Sequence, residues 1–142
     1  MSITSANSVY MLSVATIFAA PSQLQAYAAD DAFSTQALKS AETQMGVDGF
    51  LAGGFVFVAI EQEIALQANS PSNALFDQWY QAQLQSKDVY VAGATIQMPS
   101  LGIKWTMTNG FLTSYNIIPD AKRLLQPRKH MITWGSAIPA PI

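Results

Sequence analysis

Apolar residues recur at every second position along most of this chain, and at helical spacing only once. A period of two marks strands and a period of 3.6 marks helices, so this rhythm commits the chain to a mostly β fold with one principal helix. In the run 9–20, Val9, Met11, Ala15 and Ile17 face one way and Tyr10, Leu12, Val14 and Phe18 the other. Its β-branched and aromatic content, stopped by Pro21, predicts a first strand covered on both faces. A second strand is expected over 55–67, with Val56, Val58, Ile60, Ile64 and Leu66 on one face and Phe57, Ala59, Glu61, Glu63 and Ala65 on the other. Further strands are expected over 89–98 and 129–134. Asn109-Gly110 falls between 103–108 and 111–115, where that dipeptide suits a two-residue type I′ hairpin turn. The helix is read from Ser70 as N-cap and Pro71 as first residue, with Leu75, Phe76, Trp79, Tyr80 and Ala82 as its apolar stripe, ending near Gln85-Ser86. Pro119 opens a connection that can turn helical through Leu125, and the proline-rich tail 138–142 is expected to be extended without forming a ladder. The sum is an antiparallel β-sandwich or barrel of about six to seven strands with one flanking α-helix, in a single domain over 1–142.

The opening run also mimics an export signal, because Ala26-Tyr27-Ala28 follows an apolar stretch. A signal normally begins with basic residues, whereas the first basic side chain here is Lys39. With that charge missing and the alternation present, the run reads as a strand and residues 20–54 as a loop or arm. Within that arm Asp48-Gly49 marks a tight turn. So long an irregular segment in a small domain usually serves contact with a neighbour.

Few charges cover this surface. Only 11% of residues are charged and 50% are hydrophobic, against roughly 25% charged in an average soluble domain. A free monomer of this composition would expose apolar patches, so copies of the chain are expected to cover one another. With no cysteine, disulfides and thiolate chemistry are excluded. No basic run offers a nucleic-acid or membrane footprint. One histidine cannot support a zinc site without a carboxylate cluster, and His130 shares its strand face with Ile132 and Trp134, which suits a packing residue. Glu61 and Glu63 share a strand face about 7 Å apart. Such a separation occurs in glycosidase pairs, yet no sugar-binding aromatic pattern accompanies it, and a solvated face is the simpler reading. Lys122, Arg123, Arg128 and Lys129 form the one basic cluster, with Asp30, Asp31 and Asp48 as scattered acids; charges this scarce are candidates for inter-subunit contact. The chain therefore reads as no enzyme, with no cofactor, metal or small-molecule substrate.

The blocks LQAYAADDAF, MGVDGFLAGGFVF, LQANSPSNALFDQW, MPSLGIKWTMTNGFLTSY and IPDAKRLLQPRKHMITWG resemble the tail tube proteins of contractile-tailed bacteriophages, from about residue 24 to 135. This fold is shared with type VI secretion and pyocin tubes. The resemblance implies a structural subunit whose hexameric rings stack into a hollow conduit, with sheath, baseplate, tape-measure and terminator proteins as partners. DNA would pass through the lumen without specific binding, on virion tails assembled in the host cytoplasm. Acidic lumens repel phosphate, which makes Glu61 and Glu63 candidates for the lining and puts the basic cluster elsewhere. An exported adhesin or pilus-like β-sandwich is the alternative, and a hydrolase using Glu61 and Glu63 a third.

Overall fold

The computed structural model describes residues 8–28 and 32–142. Its elements run β1 (Val9–Val14), β2 (Phe18–Gln23), β3 (Phe33–Thr35), β4 (Ala41–Met45), β5 (Leu51–Phe55), β6 (Ile60–Leu66), α1 (Asn73–Ser86), β7 (Ala92–Met98), β8 (Ile103–Ser114), β9 (Arg128–Trp134) and β10 (Ser136–Pro141). Strands are ordered β2-β1-β7-β8-β9-β6-β3, with β10 on β8 and every pairing antiparallel; β4 and β5 pair only with each other. The mostly β architecture with one helix is as expected. The strand number is higher, because the opening run is two strands, the arm expected over 20–54 contributes β3, β4 and most of β5, and the tail adds β10.

The first of these is the opening run. Thr16 adopts φ 76, which folds residues 9–23 into a β1–β2 hairpin instead of one strand ending at Pro21. Pro21 is tolerated inside β2 because β2 is an edge strand, where a missing N–H faces no partner. Tyr10, Leu12 and Val14 are fully buried, while Val9, Met11 and Ser13 are half-buried. The strand expected over 55–67 is shorter: the chain leaves β5 at Phe55 and enters β6 only at Ile60. The supposed loop 21–44 also contributes β3 and β4.

Strand β8 is the pivot. It is one strand of twelve residues, not a hairpin turning at Asn109-Gly110. Residues 103–110 pair with β7, the same end also pairs with β10, and Phe111 to Ser114 pair with β9. Two leaves thus share β8: β2-β1-β7-β8-β10 and β8-β9-β6-β3. Asn109 does take φ 59, but as a bulge where β8 changes leaf, and the Gly135 N–H binds the carbonyls of Thr108 and Asn109, both at 3.1 Å. Gly110 serves packing: an added Cβ would lie 2.4 Å from Cζ3 of Trp134. The β7–β8 turn falls at 99–102 instead, where Leu101 and Gly102 N–H groups return to the Met98 carbonyl at 3.0 Å.

The tail also departs from expectation. Ser136 to Pro141 form a ladder with Thr108 to Ile103. Pro139 and Pro141 share one parity, and the Ile142 N–H of the other parity donates to Gly102 O at 3.1 Å, so the prolines occupy positions where no donor is needed. The segment 116–127 holds no helix; an isolated bridge joins Ala121 and Leu125.

Between the leaves lies the core, with Tyr10, Leu12, Ile64, Ile132 and Trp134 at its centre and Phe76 and Trp79 of α1 closing it. Gln62 is a buried polar junction within it. That amide oxygen accepts from Tyr10 Oη at 2.6 Å and Trp134 Nε1 at 3.3 Å, and its nitrogen donates to Thr35 Oγ1 at 3.1 Å. Helix α1 starts two residues later than read, because Ser70 caps a tighter turn: Asn73, Ala74 and Leu75 N–H groups bond three residues back, and Ser72 N–H donates to Ser70 Oγ. Lys87 closes it in the left-handed region.

Candidate assembly interfaces

The β4–β5 hairpin stands clear of the sandwich. Register runs from Ala41↔Phe55 to Met45↔Leu51, and Val56 N–H to Ser40 O at 3.2 Å closes its root. Its tip is a tight turn in which Gly46 N–H donates to Phe50 O at 2.8 Å and Gly49 takes φ 89, the conformation that Asp48-Gly49 foretold. Asp48 Oδ1 accepts the Phe50 N–H at 3.3 Å. All ten strand residues are exposed, on both faces. Val47 is 112% exposed, Phe50 77% and Phe57 95%, with Phe55 and Phe57 stacked edge to face at 5.0 Å. A two-stranded ribbon is marginal in water on its own, and the apolar patch at this one's tip is of the kind that marks contact with another protein.

Loop 115–127, between β8 and β9, is the second apolar surface, with Ile117, Ile118, Leu124 and Leu125 exposed. Its last residues and the end of β6 form a concave shelf of about 620 Å³, lined by Ala28, Gln67, Ala68, Asn69, Leu124, Leu125 and Pro127. Between the leaves is a cavity of about 350 Å³ lined by Phe33, Ile60, Ile96, Met98, Trp105 and Met107, with Gln62 and Thr35 as its polar groups. Among the described residues no ionisable side chain lines it.

The structure divides the basic cluster. Neighbours on a strand point to opposite faces, so Arg128 turns inward while Lys129 turns out. Arg128 Nη2 meets Asp77 Oδ1 at 2.7 Å, Nε donates to Asn116 O at 2.9 Å, and the guanidinium lies 5.6 Å from the Tyr115 ring centre. Tyr115 also hydrogen-bonds Asp77 through its hydroxyl. Arg128 is thus a clasp between α1 and β9, its contacts made inside the subunit. Burial opposes ionisation of Asp77, but the hydrogen bonds from Arg128 and Tyr115 and the Arg128 charge outweigh it and hold the carboxyl below its ordinary range.

Lys129 shares the outer face of β6 and β9 with the two glutamates, its Nζ 3.8 Å from Glu63 Oε1. Glu61 is exposed and Glu63 half-buried, so the acidic face carries one cation of the basic group. Lys122 and Arg123 are exposed on loop 115–127 and form no ion pair among the described residues. Asp48 is at the hairpin tip, and Asp30 and Asp31 lie outside the described residues.

His130 is fully buried, stacked between Phe76 at 4.3 Å and Tyr115 at 5.4 Å. Its Nδ1 accepts the Asn116 N–H at 3.4 Å, and Nε2 lies 3.2 Å from Asn73 Oδ1, so Nε2 carries the proton. Burial, reinforced by the nearby Arg128 charge and opposed by Asp77, lowers its pKa to about 4. The strand pattern suits a half-buried packing residue; the full burial and the hydrogen-bond partners come from distant segments. Among the described residues no three His, Asp or Glu side chains gather as a metal site, and no helix is long and apolar enough to cross a membrane.

The chain matches a chain of the PVC sheath/tube terminator of an extracellular contractile injection system in the extended state, with TM-score 0.62, 15% identity, and 99% of this chain and 97% of that one covered. It matches a chain of the anti-feeding prophage tube terminating cap with TM-score 0.61 and 11% identity over 100% and 93% of the two chains. A chain of the PVC sheath–tube complex gives TM-score 0.56 and 13% identity over 94% and 88%. At these identities the likeness establishes a fold held in common with components of tube, terminator and cap assemblies. No curated protein matches the sequence. A family model described as tail fiber protein gp32 matches residues 1–138, and the chain belongs to that family of tail proteins.

Proposed function

We propose that this chain is a tube subunit of a contractile tail or injection system, forming hexameric rings that stack into a hollow conduit. The observation that carries this reading is the β4–β5 hairpin, exposed on both faces with Met45, Val47, Phe50 and Leu51 bare at its tip, in a chain with 11% charged residues. A sixfold ring is a head-to-tail interface closed by rotation, and stacking adds a second, so such a subunit keeps little surface wet. Its role is structural and not enzymatic. Sheath, baseplate, tape-measure and terminator proteins are its partners on the particle, and DNA crosses the lumen unbound. Glu61 and Glu63 remain the candidate lumen carboxylates, with Lys129 beside them as a local counter-charge. Asp48, Lys122 and Arg123 are the candidate contact charges on exposed apolar segments.

Negative-stain microscopy of the purified protein tests this. Rings with a central hole, or stacked tubes, are expected; a chain that stays monomeric at high concentration by light scattering would overturn it. A terminator role is the second reading, favoured by the likeness to terminator and cap chains. It predicts single rings that do not stack with one another.

A further inference from the structure

Residues 115–116 close over the His130 ring as a lid. Tyr115 stacks on the imidazole at 5.4 Å and Phe76 of α1 at 4.3 Å. The Asn116 N–H donates to Nδ1 at 3.4 Å, and Arg128, two residues along β9 on the same face, donates through Nε to the Asn116 carbonyl at 2.9 Å. Both backbone polar groups of Asn116 are thus held by side chains of β9. The lid runs directly into Ile117 and Ile118, which are exposed on loop 115–127.

Closed, the ring has no place for a second proton. Asn73 Nδ2 donates to Gln67 O at 2.9 Å, which turns its Oδ1 toward His130, 3.2 Å from Nε2. That oxygen accepts only, so Nε2 carries the ring's one proton and Nδ1 keeps its lone pair for Asn116. A proton added at Nδ1 would face the Asn116 N–H, donor against donor. Among the described residues, the charged and titratable groups around the ring are Arg128 on β9, Asp77 on α1 and the Tyr115 hydroxyl on the loop; Ile64, opposite on β6, is apolar. Arg128 opposes a second cation, and Asp77 is already engaged by Arg128 and Tyr115.

We propose that residues 115–116 are an acid-opened lid: a second proton at His130 Nδ1 holds Asn116 off the ring and frees the Ile117–Ile118 segment from β9 and α1, while the two leaves stay folded. In the closed form His130 titrates near 4, against 6.5 in water, so between those values the open form binds more protons and gains on the closed form as pH drops. Asp77 is held below its ordinary 3.8, so its release favours opening only below that window. The lid belongs to the single chain, and its opening does not rest on the tube reading. A contact made through Ile117 and Ile118 would inherit its acid sensitivity.

Hydrogen exchange by mass spectrometry on the dilute chain, from about pH 7.5 to about pH 5 and corrected for the intrinsic pH dependence of exchange, reads the lid in peptides covering 115–118. Exchange there should rise on the order of 20-fold across that range. The β1 amides should stay at least about tenfold better protected throughout, because they open only with the whole fold. Lid amides that exchange no faster than those of β1, or whose corrected exchange does not change with pH, overturn the proposal. His130→Asn keeps an acceptor for the Asn116 N–H without titrating, so its lid should stay closed across the range. An acid response in that variant equal to that of the unmodified protein overturns the proposal as well. Where His130→Asn does not fold, the comparison of 115–118 with β1 in the unmodified protein decides alone.

Discussion

Replacing Gly110 with alanine separates the bent strand from the hairpin that Asn109-Gly110 suggests. An added Cβ would stand 2.4 Å, 2.5 Å and 3.0 Å from Cζ3, Cε3 and Cη2 of Trp134. Carbon atoms pack at about 3.5–4.0 Å, so the overlap is about 1 Å against two atoms of one rigid ring and about 0.5 Å against a third. Trp134 cannot easily yield: it is fully buried, and its Nε1 donates to the same Gln62 oxygen that accepts from Tyr10. Overpacking costs about 1–3 kcal/mol, and a fixed ring pressed on backbone places this substitution at the upper end, about 3 kcal/mol. For a domain of this size that is a fall in Tm of about 10 °C. Were Gly110 a turn residue, alanine would cost about 1 kcal/mol of backbone strain and nothing would depend on Trp134. The assay is thermal unfolding of Gly110→Ala, Trp134→Phe and the double variant. Phenylalanine withdraws the far edge of the indole, so alanine should cost at least about 1 kcal/mol less in that background. A cost of 1 kcal/mol or less, equal in both backgrounds, refutes the packing argument.

Other perturbations give distinct signatures. His130 titrates near 4 in the fold against 6.5 when unfolded, so between those values the unfolded chain holds more protons and stability falls as pH drops from 6.5 to 4. About 3 kcal/mol is lost over that window, and melts of His130→Phe should show a flatter profile there than the unmodified protein. Arg128→Ala strands the Asn116 carbonyl and releases Asp77, costing about 1.5–3 kcal/mol by urea unfolding. Phe50→Ser with Phe57→Ser should shift subunit stability by no more than about 0.5 kcal/mol, because both rings are exposed, while abolishing assembly by light scattering.

Periodicity revealed what depends on neighbours in sequence. The β9 alternation, the α1 stripe and the Asp48-Gly49 turn are local, and each is where the pattern put it. Features set by distant partners were hidden. Gln62 falls on the apolar face of β6 and is satisfied by Tyr10, 52 residues away, and Trp134, 72 away. Arg128 belongs to a run of basic residues by sequence but to Asp77, 51 residues off, by structure. Asn109-Gly110 carries a real signal, a left-handed residue and a missing side chain, which the fold uses for a bulge and a close approach. The prolines of β10 misled for the same reason, since a lost donor matters only where a partner strand faces it.

Of the candidate site residues, those on turns and loops were the more legible, because exposure there follows from local geometry. Strand parity sets Arg128 and Lys129 on opposite faces, so a four-residue basic cluster could not survive folding as one surface once it ran into β9. Among the described candidates, what remains outside is sparse: Asp48 at the hairpin tip, Lys122 and Arg123 on loop 115–127, and Glu61, Glu63 and Lys129 on the open face of β6 and β9. Charges this few are poor sources of affinity, since exposed pairs are worth at most about 1 kcal/mol each. They are adequate to fix which apolar surface meets which. A subunit that takes its association energy from exposed leucine, isoleucine and phenylalanine can use single charges to choose among those surfaces.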